Sequence, residues 1–308
     1  MRFFFFLSVA LFLCVFGAWR VQAMGSVNYQ IPWDSLNTGG DESSTSTNFR
    51  LYDTVGQTAA GSANSTNYQL ESGYRASSDL FRLAFTVGGQ SSSFVTRYVR
   101  FDNVDPDYVV VSSTVGLATG DYIAVVQDVG YTALVATARV VGVVGDIVTV
   151  DYWQGDAAMM DGFSSGSDDY VYKLDSMTIP LGSVTAGTGS AGLAGGSVIS
   201  SAVNGYTVYV QADGDLTLLS SGGQTIAPVV DGTVSSDAEE YGAEAIGPYA
   251  MSPGIDLGVT STQRAIVSST IPATTGDRFL LLFKLGVTPS TAVGDYRQTV
   301  YFTLTSNF

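Results

Sequence analysis

YRQTVYFTLTSNF, residues 296–308, reads as a strand with one dry side and one wet side. Tyr296, Gln298, Val300, Phe302, Leu304, Ser306 and Phe308 fall on one face; Arg297, Thr299, Tyr301, Thr303, Thr305 and Asn307 fall on the other. Strand side chains alternate between faces, so a half-buried strand with a core side and a solvent side is predicted. Gly294 and Asp295 supply the turn that leads into it.

The same pattern recurs upstream in short runs rich in Val, Ile and Tyr at 108–112, 122–128, 133–144, 146–153, 206–211 and 279–285, punctuated by Gly, Asp and Ser. No window of helical length keeps apolar residues at i, i+3, i+4 and i+7, so the chain is expected to be all-β. Asp213-Gly214, between two such runs, carries the residues of a tight hairpin turn. The 35 glycines follow no collagen-like period and fit frequent turns.

Composition narrows the context. Arg2, an apolar run from Phe3 to Trp19 and small residues before position 24 read as a secretory leader over residues 1–23. Cys14, the one cysteine, lies in that run, so no disulfide is expected after cleavage. Roughly 285 residues would remain, enough to bury about three quarters of the unfolded surface in a core of their own. Acidic residues number 28 against 13 basic, a net charge of −15. Such a surface repels phosphate backbones and anionic lipid, so neither nucleic acid nor a membrane is an expected partner.

Three regions follow the leader. Residues 24–78 are polar and repeat a short strand at 28–31, 48–51 and 67–70: Asn-Tyr-Gln-Ile, Asn-Phe-Arg-Leu, Asn-Tyr-Gln-Leu. Residues 79–175 carry closely spaced strands suited to a small β-barrel or sandwich. Residues 176–308 carry strands separated by Gly/Ser/Thr stretches, as in a β-sandwich with long connections. Of the three copies, 48–51 and 67–70 are expected to pair with each other. The first ends on Pro32, tolerated mainly at strand ends and edges. It is the candidate to pair elsewhere, with Val27, Tyr29, Ile31 and Trp33 as the side chains of a donated strand.

The absence of histidine removes Ser-His-Asp and Cys-His machinery. Gly187-Thr188-Gly189-Ser190-Ala191-Gly192 spells a dinucleotide fingerprint, but Leu193-Ala194-Gly195-Gly196 shows no helical period, so the stretch reads as a loop. The only glutamates are Glu42, Glu71, Glu239, Glu240 and Glu244, and an acid pair for glycoside hydrolysis would have to assemble in space. No enzyme is expected and no cofactor is required. Calcium is the one cation the residues suit: Asp102, Asp105 and Asp107 crowd oxygens into a short segment, and Asp161 with Asp168 and Asp169 brackets a Gly/Ser loop. Tyr152, Trp153 and Phe163 are candidates for stacking on a glycan.

Several short motifs resemble a module of uncharacterised secreted surface proteins of bacteria. They are Asn28 to Ser35, Gly39-Gly40, Asp53 to Gln57 and Ser72-Gly73-Tyr74, while Gly182 to Val184, Asn204-Gly205-Tyr206, Glu239 to Gly242 and Gly294-Asp295-Tyr296 are similar to the rest of such proteins. The final Thr-rich strand is similar, more loosely, to that of spore-coat-U and fimbrial subunits. That likeness implies an immunoglobulin-like sandwich and assembly of identical copies by strand donation, and it brings no catalytic residues. The expected role is a subunit of an extracellular filament, sheath or surface layer, with a secreted adhesin that binds glycans as the alternative and an acid-based hydrolase behind both.

Overall fold

The computed structural model describes residues 82–102, 107–164, 167–220 and 223–307 in full, and the backbone of four short strands before them. The chain divides into two compact units, 1–80 and 81–308. In the first, β1 (Ser44–Thr45) pairs with β2 (Arg50–Leu51), and β3 (Gly61–Asn64) with β4 (Gln69–Ser72), both antiparallel. The described residues of the second and third copies, Arg50–Leu51 and Gln69–Leu70, thus pair with the segments just before them rather than with each other. Closing a short local link costs less chain entropy than joining copies farther apart. The leader, the copy at 28–31 and Val27, Tyr29, Ile31 and Trp33 lie outside the described residues, as does Asp105.

The second unit opens with β5 (Leu83–Gln90), β6 (Thr96–Asp102), β7 (Tyr108–Val111), β8 (Tyr122–Gln127), β9 (Leu134–Val144), β10 (Ile147–Val150), β11 (Gln154–Gly155) and β12 (Tyr170–Ser176). β6 pairs with β7, β7 with β10, β10 with β9, β9 with β8, β8 with β12, and β12 with β6 again, all antiparallel. This ring of six strands closes on itself and leaves no free edge. Gly145, at φ 63°, takes the first central place of the two-residue turn that joins β9 to β10, a conformation glycine adopts without steric cost. Small and branched side chains fill the ring: Val109, Val111, Ile123, Val125, Ala136, Ala138, Val140 and Val148, with Tyr98 and Phe101. β8 is buried on both faces, because Ile123 and Val125 point into the ring while Ala124 and Val126 meet Leu193, Leu280 and Leu282 outside it.

The remainder comprises β13 (Ser190–Ser200), β14 (Tyr206–Ala212), β15 (Leu216–Leu218), β16 (Thr225–Pro228), β17 (Glu240–Ile246), β18 (Asp256–Leu257), β19 (Arg264–Ser269), β20 (Ala273–Gly286), β21 (Tyr296–Arg297) and β22 (Val300–Ser306). β5, β13, β20, β17, β16, β15 and β21 run side by side, while β19, β14 and β22 form a separate three-stranded sheet. The two layers share one core, with Val198, Phe279, Leu281 and Phe283 on one side and Tyr206, Val208, Val210 and Ile266 on the other. No helix occurs among the described residues, and the fold is all-β.

Two expectations change here. The glycine-rich 187–196 stretch is no flexible loop: from Ser190 it is β13, the buried strand between β5 and β20. Its glycines mark close approach, since a Cβ on Gly196 would sit 2.3 Å from the Thr86 carbonyl oxygen and one on Gly195 2.8 Å from both Leu174 and Leu280. Asp213-Gly214 forms no hairpin either, because β14 and β15 belong to different sheets and the chain changes layer there. Asp213 holds that corner by exchanging backbone and side-chain hydrogen bonds with Thr299.

Candidate functional site

The single strand predicted over 296–308 is divided between two sheets: Tyr296–Arg297 is β21, paired with β15, and Val300–Ser306 is β22, an edge of the three-stranded sheet. β22 keeps the predicted alternation: Val300, Phe302 and Leu304 face the core and Tyr301, Thr303 and Thr305 face solvent. It pairs through its whole length with β14, and among the described residues with no strand on its other side. The mutual bond of Asp213 with Thr299, and that of the Asn307 N–H to the Gly205 carbonyl, fix which residues bond inward. By the antiparallel alternation, Tyr301, Thr303 and Thr305 direct N–H and C=O at β14, and Val300, Phe302, Leu304 and Ser306 direct theirs outward. The opposite edge is covered: β19 receives bonds involving Tyr249 and Met251. The core also thins towards β22. Tyr206, Val208 and Val210 on β14 are fully buried, whereas Val300, Phe302 and Leu304 keep partial exposure.

A second feature lies at the mouth of the ring. Asp168 and Asp169 immediately precede β12, and Asp128 immediately follows β8. Tyr170 pairs with Val126, so continuing that register sets Asp169 opposite Gln127 and Asp168 opposite Asp128. Asp128 turns out of the strand at φ 56°, a left-handed conformation that Asp tolerates better than most residues. Its N–H donates to Asp169 Oδ1 at 3.1 Å, and one carboxylate oxygen from each of Asp128, Asp168 and Asp169 lies within 4.8 Å of the others. Asp161 adjoins them, with Gln127 Nε2 donating to its Oδ2 at 3.0 Å. Partial loss of hydration, then the charges of Asp169, Asp168 and Asp161, raises the carboxyl of the exposed Asp128 above its ordinary value.

Tyr98 approaches the same acids from β6. Tyr170 also pairs with Arg97, and the continued register sets Tyr98 beside Asp169 on the other side of β12. Its ring is 1% exposed in the ring core, and its hydroxyl has no hydrogen-bond partner among the described residues. Burial first, then the charges of Asp169, Asp128 and Asp161, drives its ionisation well above the usual phenol range.

The other sequence candidates sit apart. Asp102 ends β6 and accepts from Arg100 at 2.8 Å, while Asp107 leads into β7 and receives the Val150 N–H on its carbonyl. Trp153 packs its indole on Phe101 and donates Nε1–H to the Asp102 carbonyl; Tyr152 lies against the Arg278 guanidinium; Phe163 is 70% exposed. Trp153, Asp156 and Glu244 line a cleft of about 360 Å³. Burial raises the Asp156 carboxyl, which accepts the Val135 N–H at 3.1 Å. Glu244 is held by Lys284 at 2.8 Å and by the Gly254 N–H at 3.0 Å. Lys284 also lies 2.8 Å from Asp256 Oδ1, an ion pair without hydrogen-bond alignment. Three of the four acids were legible in sequence, where Asp161, Asp168 and Asp169 fall within nine residues, whereas Asp128 joins them only through strand register.

No family model, no curated protein and no solved structure matches the chain.

Proposed function

We propose that this chain is an extracellular structural protein, a subunit of a surface filament, sheath or layer, in which each copy donates a strand to the next. In this reading the layers built around β14 and β20 act as an immunoglobulin-like sandwich, and β22 is the acceptor edge. The donor is the segment carrying Val27, Tyr29, Ile31 and Trp33, four large side chains at the period of a strand face.

The observation that carries the reading is the one-sided pairing of β22. Its outward N–H and C=O groups, on four alternate residues, suit an added strand, which gains affinity from main-chain bonds and specificity from alternate side chains. Each bond is worth about 1 kcal/mol net, while association costs on the order of 4–15 kcal/mol. Backbone pairing alone is therefore too weak, and the partly exposed Val300, Phe302 and Leu304 offer the apolar surface that a donor would cover. A head-to-tail contact of this kind does not close, and it grows a fibre.

A peptide of residues 24–35, titrated into protein lacking that segment, tests the pairing. The reading expects saturable binding with amide shifts centred on 300–306; absence of binding, or shifts elsewhere, would count against it.

A second reading, a secreted glycan-binding protein, draws on the cleft beside Trp153, which combines an aromatic wall with Asp156 and Glu244. Glycan-array binding by a stable monomer, lost on Glu244→Ala, would favour it.

A further inference from the structure

We propose that Asp128, Asp168 and Asp169 bind a hard divalent cation of the calcium type, with Asp161 and the Tyr98 hydroxyl completing its surroundings. Calcium takes oxygen ligands at about 2.3–2.6 Å, so two ligands of one ion stand at most roughly 5 Å apart. The three carboxylates already meet that limit, at 4.8 Å or less. Among the described residues no Lys or Arg forms an ion pair with Asp128, Asp161 or Asp168. Arg97, on the adjacent strand, instead donates to the Ser167 carbonyl and lies over the rings of Phe94 and Tyr170.

The independent sign of a ligand is Tyr98. A buried hydroxyl without a partner, here on a residue 1% exposed, is rare in folded proteins, and a missing water or ion is among the usual reasons. Register sets Tyr98 beside Asp169, and a water carried by a cation bound there would donate to the phenol oxygen. The donors are all oxygen, and Asp128, Asp161 and Asp168 are exposed or half-buried, so the flexible six- to eight-fold shell of calcium fits better than the strict octahedron of magnesium. The affinity expected of a module of this kind outside the cell is on the order of 10⁻⁴–10⁻³ M. The ion would tie the end of β8 to the start of β12, two strands that close the ring.

The test uses the purified full-length mature chain, with calcium chloride and terbium(III) as the probes. Calcium at about 5 mM should raise the melting temperature relative to the chelated protein, and terbium emission sensitised by tyrosine should appear and be displaced by calcium. Asp168→Asn should weaken calcium at least tenfold. Asp128→Asn, on an exposed residue that leaves the fold intact, should do the same. Tyr98→Phe should raise the melting temperature without calcium, because the unpartnered hydroxyl is gone, and lower calcium affinity by a smaller factor. Three results would each overturn the proposal: no calcium response; an equal response to sodium chloride at matched ionic strength; or an undiminished response in Asp128→Asn and Asp168→Asn alike.

Discussion

Arg278 joins the ring to the layered half, and its neighbours set the order in which damage should rank. On β20 its guanidinium is 3% exposed, ion-paired with Asp151 and bonded to the Tyr152 carbonyl at 2.8 Å, with the Tyr152 ring centroid 4.0 Å from Cζ. Asp151 is 26% exposed and also accepts the N–H groups of Arg139 at 3.1 Å and Tyr152 at 2.8 Å. Breaking a buried pair costs about 3–5 kcal/mol when the survivor stays buried and unpaired. Asp151→Ala strands the guanidinium, so about 4 kcal/mol is expected. Arg278→Met strands a carboxylate that keeps two N–H donors and some water, so about 2 kcal/mol is expected. At about 2–4 °C per kcal/mol for a unit of this size, melting should fall roughly 8–16 °C for Asp151→Ala and about half that for Arg278→Met. The double variant Asp151→Leu with Arg278→Met should be less harmful than the two single changes summed, since no charge is left alone. Calorimetry of the four proteins decides the matter: a loss for Arg278→Met equal to or above that for Asp151→Ala would refute the reasoning.

Other outcomes follow from single sites. Gly196→Ala places a methyl 2.3 Å from a backbone oxygen and should cost about 3 kcal/mol or prevent folding, whereas Gly214→Ala, with nothing within 4 Å, should shift the urea midpoint little. Asp156→Asn keeps an acceptor for the Val135 N–H and removes a carboxylate whose folded value burial has raised. That neutral acid favours the fold below the unfolded carboxyl value, and the benefit is lost as pH rises through the raised one. The variant should therefore gain stability over the parent at pH 7 and lose that margin on acidification, as denaturation at several pH values would report. Lys284→Met leaves Glu244 and Asp256 facing each other without their cation and should cost about 3–5 kcal/mol in the same assay.

What the sequence disclosed depended on whether a signal was local. The alternation gave the correct faces over Val300–Ser306 because strand geometry sets them residue by residue, but it did not show that Tyr296–Arg297 pairs with β15 in the other sheet. Ser190–Ser200 misled because glycine is the residue both of a loop and of a strand squeezed between close neighbours; only Leu174, Leu280 and the Thr86 carbonyl, far away in sequence, distinguish the two. Partner choice was equally hidden: nothing near 48–51 shows that Arg50 will face Thr45 and not the next copy. Asp128 reached Asp168 through the β8 and β12 register, which pairs residues about 40 apart. That no strand lies beyond β22 among the described residues is a property of topology, which residues 296–308 do not encode by themselves.

Electron microscopy of the purified chain from residue 24 onward, beside the same chain lacking residues 24–35, tests strand donation most directly. The account predicts filaments or sheets from the first and folded monomers with unchanged circular dichroism from the second. Monomers at every concentration from the first, or continued polymerisation of the second, would contradict it.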